Sequence, residues 1–413
     1  MTTTTKAAVV VGAILIWVMA CAVAQDSRPD APIDWQRAQN LNQRSQRGQQ
    51  LSPEDKVYLD KAKAEIAQGR GPNSGAAPRS GQGPASRSAT SRSASTGAAP
   101  SPGSDAPRVP PSRGPDKEVV YKKVAKHQVS TTGELKLYVY LPADWKPADK
   151  RPAIVFFHGG GWEMGTPEQF YSKAEYLSSR GMVAFCAEYS VKGRNQSTMD
   201  KSVEDARSAM RFVRSHAADW GVDGDKIVSA GGSSGGHLAA AVALFDGPDD
   251  PADDLKVSPR PQAMILFNPP MDMDCLFRED RLAKFAMMIV SGSSDDEKKK
   301  VLKSLSPIEY VKKDCPPMLM MFGRYDDFLK DARAFAAKSL PLGNRVEVWS
   351  APRIGHGFFN GAPWHQATMI AADEFLASLG YVKGPPTMTP ADAAAVMTKE
   401  VIAPQTSTAP GKE

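Results

Sequence analysis

Between an apolar stretch, Ile227-Val228-Ser229-Ala230, and an apolar run from Leu238 to Phe245, the chain carries Gly231-Gly232-Ser233-Ser234-Gly235-Gly236. The first stretch reads as a buried strand and the run as a buried helix, so the six residues between them must reverse the chain sharply. A serine at such a turn is held at strained backbone angles with its hydroxyl pushed out above the sheet. Small neighbours are needed two residues to either side, because strand and helix backbones nearly touch there. Two overlapping frames satisfy that spacing, Gly231-x-Ser233-x-Gly235 and Gly232-x-Ser234-x-Gly236. The residues of the turn alone leave both serines open.

The surrounding rhythm has the same character. Segments 118–125 and 134–140 alternate as an antiparallel strand pair would, with Thr132-Gly133 suited to the turn. Apolar strands are then expected over 153–157, 182–187, 227–230, 263–267, 318–322 and 346–349. Helical periodicity falls between them, over 168–179, 203–216, 236–245, 331–340 and 364–379. Strands alternating with helices predict an α/β fold, a mostly parallel central sheet with helices on both faces. Residues 269–316 break the rhythm with charged, Met-rich helical pieces and read as a small cap-like insertion over one end of the sheet.

Outside this catalytic unit, expected over 117–384, the composition changes. Residues 1–24 resemble a signal peptide: Lys6 is the sole charge, 7–20 is apolar, and Ala22-Val23-Ala24 offers a cleavage point. An uncleaved anchor and a lipid tether through Cys21 are the alternatives. Residues 25–70 carry helical signals, among them Ser52-Pro53-Glu54-Asp55, where serine precedes a proline at the first helical position. Residues 71–116 are rich in Gly, Pro, Ser, Ala and Arg, and cannot bury enough apolar surface to order themselves. Residues 385–413 read as a flexible tail. The net charge of +5 lies in the leader: Lys6, and 13 basic against 9 acidic residues over 25–116. The folded part is thus neutral, and no nucleic-acid face is expected. Of the cysteines beyond Cys21, Cys186 sits in an apolar run as a buried residue, and Cys275 and Cys315 could pair. No HExxH and no paired CxxC occurs, so no metal is expected.

A serine nucleophile needs a base, an orienting acid and donors for the oxyanion. Directly after the strand at 153–157 stands His158-Gly159-Gly160-Gly161-Trp162. Three glycines at the carboxyl end of a parallel strand leave backbone N–H groups free to face a ligand, at the end of the sheet where ligands sit. Losing one such donor costs roughly 3 kcal/mol of transition-state stabilisation. Of the six histidines, His127 and His216 fall at element ends, and His237 points along the helix after the turn. His356, in Ile354-Gly355-His356-Gly357-Phe358, lies on a loop after the last strand, and His365 is a weaker candidate at the start of the last helix. For the acid, Gly323-Arg324-Tyr325-Asp326-Asp327 follows the strand at 318–322; Asp327 suits a helix cap, which leaves Asp326 for the site. Serine, aspartate and histidine then come in the chain order of α/β-hydrolases.

Together, His158 to Trp162, Gly231 to Gly236, Gly323 to Asp326 and Gly355 to Phe358 resemble the four signatures of α/β-hydrolase esterases. The nearest branch is the hormone-sensitive-lipase-like bacterial carboxylesterases, with their acetyl-xylan and feruloyl esterase relatives. The resemblance spans roughly 117–384 and implies the α/β-hydrolase fold and a serine carboxylic-ester hydrolase that needs no cofactor. Where that family usually has alanine after the nucleophile, this chain has Ser234; alignment of the Gly-Gly-His-Leu run selects Ser233. The resemblance further implies that Gly160, Gly161 and the Ser234 N–H hold the oxyanion. An exported enzyme on a long linker, with no membrane span once the signal is cleaved, suits short-chain or carbohydrate esters, acylated polysaccharide among them. Competing readings are a serine exopeptidase of the same fold and a catalytically silent module tethered at the envelope.

Overall fold

The structure, a computed structural model, describes residues 53–67, 112–125, 133–277 and 286–403. The expected signal peptide, Cys21, most of the linker, His127 and Thr132 lie outside the described residues. Residues Asp26–Ala106 form a unit of their own. Its described part is one helix, α1 (Pro53–Ala67), which begins at the proline that the sequence marks as a first helical residue.

The larger unit is built on one sheet. Its strands are β1 (Lys117–Lys123), β2 (Glu134–Tyr140), β3 (Arg151–Phe157), β4 (Val183–Ala187), β5 (Val222–Gly232), β6 (Ala263–Phe267), β7 (Met318–Gly323), β8 (Val346–Ala351) and β9 (Thr398–Lys399). They lie in the order β1-β2-β4-β3-β5-β6-β7-β8-β9. The pairs from β4 and β3 through β8 are parallel, while β1–β2, β2–β4 and β8–β9 are antiparallel. The principal helices are α2 (Tyr171–Ser179), α3 (Met199–Ser215), α4 (Ser234–Leu244), α5 (Asp295–Ser304), α6 (Leu329–Ser339) and α7 (Trp364–Ser378).

Alternation along the strands sorts the core into two layers. Val155, Phe157, Phe185, Leu266, Met320 and Phe322 face α3, α4 and α6. Ile154, Phe156, Val228, Ile265, Leu319 and Met321 face α2 and α7. Every residue of β4, β6 and β7 is buried, as a parallel sheet covered on both faces requires. The expected α/β-hydrolase architecture is what the chain adopts.

The described residues of the small cap-like insertion at 269–316 pack Met271, Met273, Ile289, Val290, Leu302 and Leu305 into the core layer that contains α4. Its helix α5 starts at a capping box, Ser294 with Glu297, which satisfies two backbone donors reciprocally. Cys275 and Cys315, whose pairing the sequence leaves open, form no disulfide with one another; each is buried as a thiol. Nor is the described part of the tail loose. Thr398 and Lys399 pair with β8 as a ninth strand, and the Glu400 N–H donates to Val348 O at 2.7 Å. The Glu400 carboxylate accepts from Ser350 Oγ at 2.5 Å and from Arg333 at 2.8 Å. This pairing covers what would otherwise be an open sheet edge.

Candidate active site

Strand β5 delivers Ser233 at its carboxyl end, one residue before α4. Ser233 has φ 53° and ψ −122°, a conformation that L-residues rarely adopt and that costs on the order of 1–3 kcal/mol. The glycines around it show what enforces the bend. A Cβ on Gly231 would lie 2.3 Å from Gly235 O, and one on Gly235 would lie 2.0 Å from Phe157 O. Both positions of the Gly231-x-Ser233-x-Gly235 frame therefore admit hydrogen only. The Ser233 N–H donates to Phe267 O at 2.8 Å, so the end of β6 pins the turn. Ser234 is the first residue of α4; it is buried, with its Oγ 3.5 Å from the Tyr189 hydroxyl.

The structure brings the three predicted side chains together. Ser233 Oγ is 2.8 Å from His356 Nε2, and His356 Nδ1 is 2.8 Å from Asp326 Oδ2. Because a carboxylate only accepts, Nδ1 carries the proton and Nε2 faces the serine with its lone pair. Asp326 is buried and Asp327 exposed. Phe328 precedes α6, and its N–H donates to Asp326 Oδ1 at 3.0 Å. One carboxylate thus both ties the turn and orients the imidazole.

Ser233 and His356 open on a cavity of about 520 Å³, whose lining also includes Gly160, Gly161, Trp162, Leu276 and Phe359. The glycine loop reaches this cavity through three successive left-handed residues, Gly160 (φ 131°), Gly161 (φ 64°) and Trp162 (φ 57°). Gly160 O accepts from the N–H groups of Glu163 and Met164, which folds the loop into a tight turn. A Cβ on Gly160 would come within 2.1 Å of Met164 O. The Gly159 N–H donates to Gln169 Oε1 at 2.6 Å, and Gln169 Nε2 donates to Asn360 Oδ1 at 3.1 Å. Asn360 Nδ2 donates to Gly357 O at 2.9 Å, so two amides join the glycine loop to the histidine loop.

The other described histidines are placed elsewhere. His158 stacks on Tyr189, donates from Nδ1 to Gly159 O, and is held at about 3 by burial. His237 donates from Nε2 to Leu305 O, and burial holds it at about 4. His216 stacks on Phe212 at the end of α3. His365 Nδ1 meets Lys173 Nζ at 3.1 Å, and burial, with the nearby Lys173 charge, lowers it to about 3.

Sequence reading missed two groups close to this site. Asn268, the residue after β6, is fully buried with Nδ2 3.2 Å from His356 Nε2. The available signal was a polar residue placed directly after an apolar parallel strand, at the ligand end of the sheet. The second group, Lys173 on α2, is only 1% exposed. Its Nζ donates to Phe359 O at 3.1 Å and lies 5.1 Å from the Phe359 ring centre. Burial lowers it to about 7. No sequence pattern distinguishes this lysine from the surface lysines of other helices.

Lys173 carries a stability prediction. Its charged form is favoured in the unfolded chain up to about pH 10, but is penalised in the folded protein. The unfolded state therefore binds more protons between about pH 7 and pH 10, and stability rises with pH across that window. Below pH 7 the full penalty is present. Urea unfolding at several pH values should show wild type gaining on Lys173→Met, by as much as ~4 kcal/mol, between pH 7 and 10. Parallel curves for the two proteins would show that Lys173 keeps an ordinary affinity for its proton.

Comparison with known proteins bears on the fold and the family. The family model BD-FAE matches residues 137–338. Esterase LipQ of Mycobacterium tuberculosis is 27% identical, over 57% of this chain and 56% of its own length. The chain thus spans little more than half the length of that curated relative. The propionate-bound structure of esterase 2 from Thermogutta terrifontis is 39% identical, covers 67% of this chain and 98% of its own, and superposes with a TM-score of 0.57. The same esterase phosphorylated by paraoxon is 38% identical at equal coverage, with a TM-score of 0.57. With the sheet order, the serine turn and the glycine loop, this extent of identity shows that the chain belongs to the hormone-sensitive-lipase-like carboxylesterases of the α/β-hydrolase fold.

Proposed function

We propose that this protein hydrolyses carboxylic esters through an acyl-enzyme, with Ser233 as nucleophile, His356 as general base and acid, and Asp326 as the orienting carboxylate. The observation that carries this reading is the continuous chain of 2.8 Å contacts from Ser233 Oγ through His356 to Asp326, open to the cavity. As the Oγ–C bond forms, the serine proton moves to Nε2 and the carbonyl electrons move to oxygen. Gly160, Gly161 and the first-turn N–H of Ser234, which has no carbonyl four residues back inside α4, are the donors assigned to that oxygen. Collapse breaks the bond to the alcohol, which takes the proton from Nε2. Water then repeats the sequence on the acyl-enzyme.

A cavity of about 520 Å³ with an apolar lining suits a small ester. The Thermogutta esterase is known with propionate and with butyrate bound, which favours short acyl groups here as well. Carbohydrate esters remain part of the proposal on the resemblance of residues 117–384 to acetyl-xylan and feruloyl esterases. Export is proposed from the apolar run over residues 7–20 before Ala22-Val23-Ala24.

The experiment is a panel of p-nitrophenyl esters from acetate to octanoate, with acetylated xylan, feruloyl sugars and aminoacyl p-nitroanilides alongside. Paraoxon labelling located by peptide mass spectrometry accompanies it. Highest turnover on acetate to butyrate, and one phosphoryl group per chain on Ser233, is the expected result. An absence of both turnover and adduct on folded protein would favour the silent binding module, and preference for the anilides would favour the peptidase.

A further inference from the structure

Asn268 has no place in the triad, yet it touches its reacting atom. It follows β6 with φ 40°, and its N–H donates to Met321 O at 2.7 Å, so the residue is fixed at both backbone and side chain. The side-chain oxygen accepts from the Gly357 N–H at 3.3 Å. A backbone N–H can only donate, so the oxygen of the carboxamide must lie on that side. Its Nδ2 then faces His356 Nε2, at 3.2 Å. With the Nδ1 proton given to Asp326, Nε2 receives two donors, the Ser233 hydroxyl at 2.8 Å and the Asn268 amide.

An amide NH₂ offers no lone pair to an N–H. It is therefore compatible with a proton-accepting Nε2 and opposes a protonated one. We propose, on the triad reading above, that Asn268 is a further catalytic residue: its amide keeps Nε2 in the proton-accepting form and opposes retention of the serine proton. The proton taken from Ser233 Oγ is thereby pressed onward to the leaving alkoxide as the C–O bond breaks. No electron or further reactant is involved.

The remaining surroundings of the imidazole do not supply this function. Among the described residues, Asp326 is the ionisable group on Nδ1, and the Phe328 ring meets the imidazole edge-on at 5.2 Å. Of the other charged groups on that loop, Arg324 turns to Glu400 at 3.4 Å and Asp327 is exposed. Ser233 comes from the β5–α4 turn, and Asn268 is what β6 contributes.

The test is the pH dependence of kcat and kcat/KM on p-nitrophenyl acetate for wild type, Asn268→Asp and Asn268→Ala. In Asn268→Asp a carboxylate faces Nε2, favours its protonated form and should move the acid limb of kcat/KM upward by about one unit or more. Asn268→Ala should move the limb in the same direction by less, and lower kcat about tenfold, the size of one lost hydrogen bond. Acid limbs that coincide in all three proteins while rates fall by one factor at every pH would reduce Asn268 to a structural support. If Asn268→Asp does not fold, the limb of Asn268→Ala decides alone. Ser233→Ala run in parallel separates the two readings. Inactivity of that variant with unmoved limbs overturns the role of Asn268 and leaves the triad standing, whereas its full activity overturns both.

Discussion

Replacing Ser233 by alanine is expected to lower kcat on p-nitrophenyl acetate by about 10⁴- to 10⁶-fold, since members of such a unit fail together and what survives comes from oxyanion donors and binding. Removing the hydroxyl leaves the β5–α4 turn without its one reactive atom, but alanine carries the same strained φ of 53° as serine, so the fold should persist. The companion variant, Ser234→Ala, keeps the backbone N–H and loses an oxygen 3.5 Å from the Tyr189 hydroxyl. Its turnover should stay within roughly tenfold of wild type, the size of one modest hydrogen bond. Full turnover in Ser233→Ala together with an inactive Ser234→Ala would move the nucleophile to the neighbouring residue. Circular dichroism on both proteins separates a chemical loss from a folding one.

Asp326→Asn should cost about 10⁴-fold in kcat, with little change in KM. The reason is visible in the two oxygens of the carboxylate. Oδ1 accepts from the Phe328 N–H at 3.0 Å and Oδ2 accepts from His356 Nδ1 at 2.8 Å. In the asparagine variant the turn retains the carbonyl oxygen for Phe328, which sets the NH₂ against Nδ1. Two donors cannot share that contact, so the ring must move its proton to Nε2, where it can no longer receive one from Ser233. Asp327→Asn is the control; its side chain is exposed, and activity should change less than about threefold, as for a surface substitution of ~0.5 kcal/mol. Equal losses in the two variants would mean that the acidic pair acts by charge alone.

Much of this arrangement is legible along the chain because the signals are local. Strands β3, β4, β6 and β7 announce themselves as short apolar runs since both faces of a parallel sheet are covered. The glycines at 159, 160, 231 and 235 are legible because only glycine fits where two backbones approach within van der Waals distance. The serine, aspartate and histidine could be picked out because each follows a parallel strand, β5, β7 and β8, at the end of the sheet where ligands sit. Less legible were groups whose meaning depends on a distant partner. Glu400 lies in a stretch with the composition of a loose tail, and its pairing with β8 and Arg333 requires that strand and helix to be in place first. Cys275 and Cys315 gave no spacing that could decide their state; the core buries each as a thiol. Lys173 looks like any helical lysine until Phe170, Phe267 and Phe359 close around it.

The serine turn divides the two kinds of information most clearly. The sequence by itself determined that a sharp strand-to-helix reversal stands at 231–236, because four glycines between an apolar strand and an apolar helix admit no other course. It pointed also to candidate donors at 159–161, ahead of the turn, and to a candidate acid and base after it, each at another strand end. Spacing inside the turn left Ser233 and Ser234 open; family alignment selected Ser233, and the tertiary structure sets its hydroxyl against the base. The contact of Gly235 with Phe157 O sets the bend, Phe267 O pins the Ser233 N–H, and His356 arrives 2.8 Å from one hydroxyl and not the other. That placement depends on β3, β6 and the histidine loop, elements up to 123 residues away in the chain, and spacing within the turn carries no information about them.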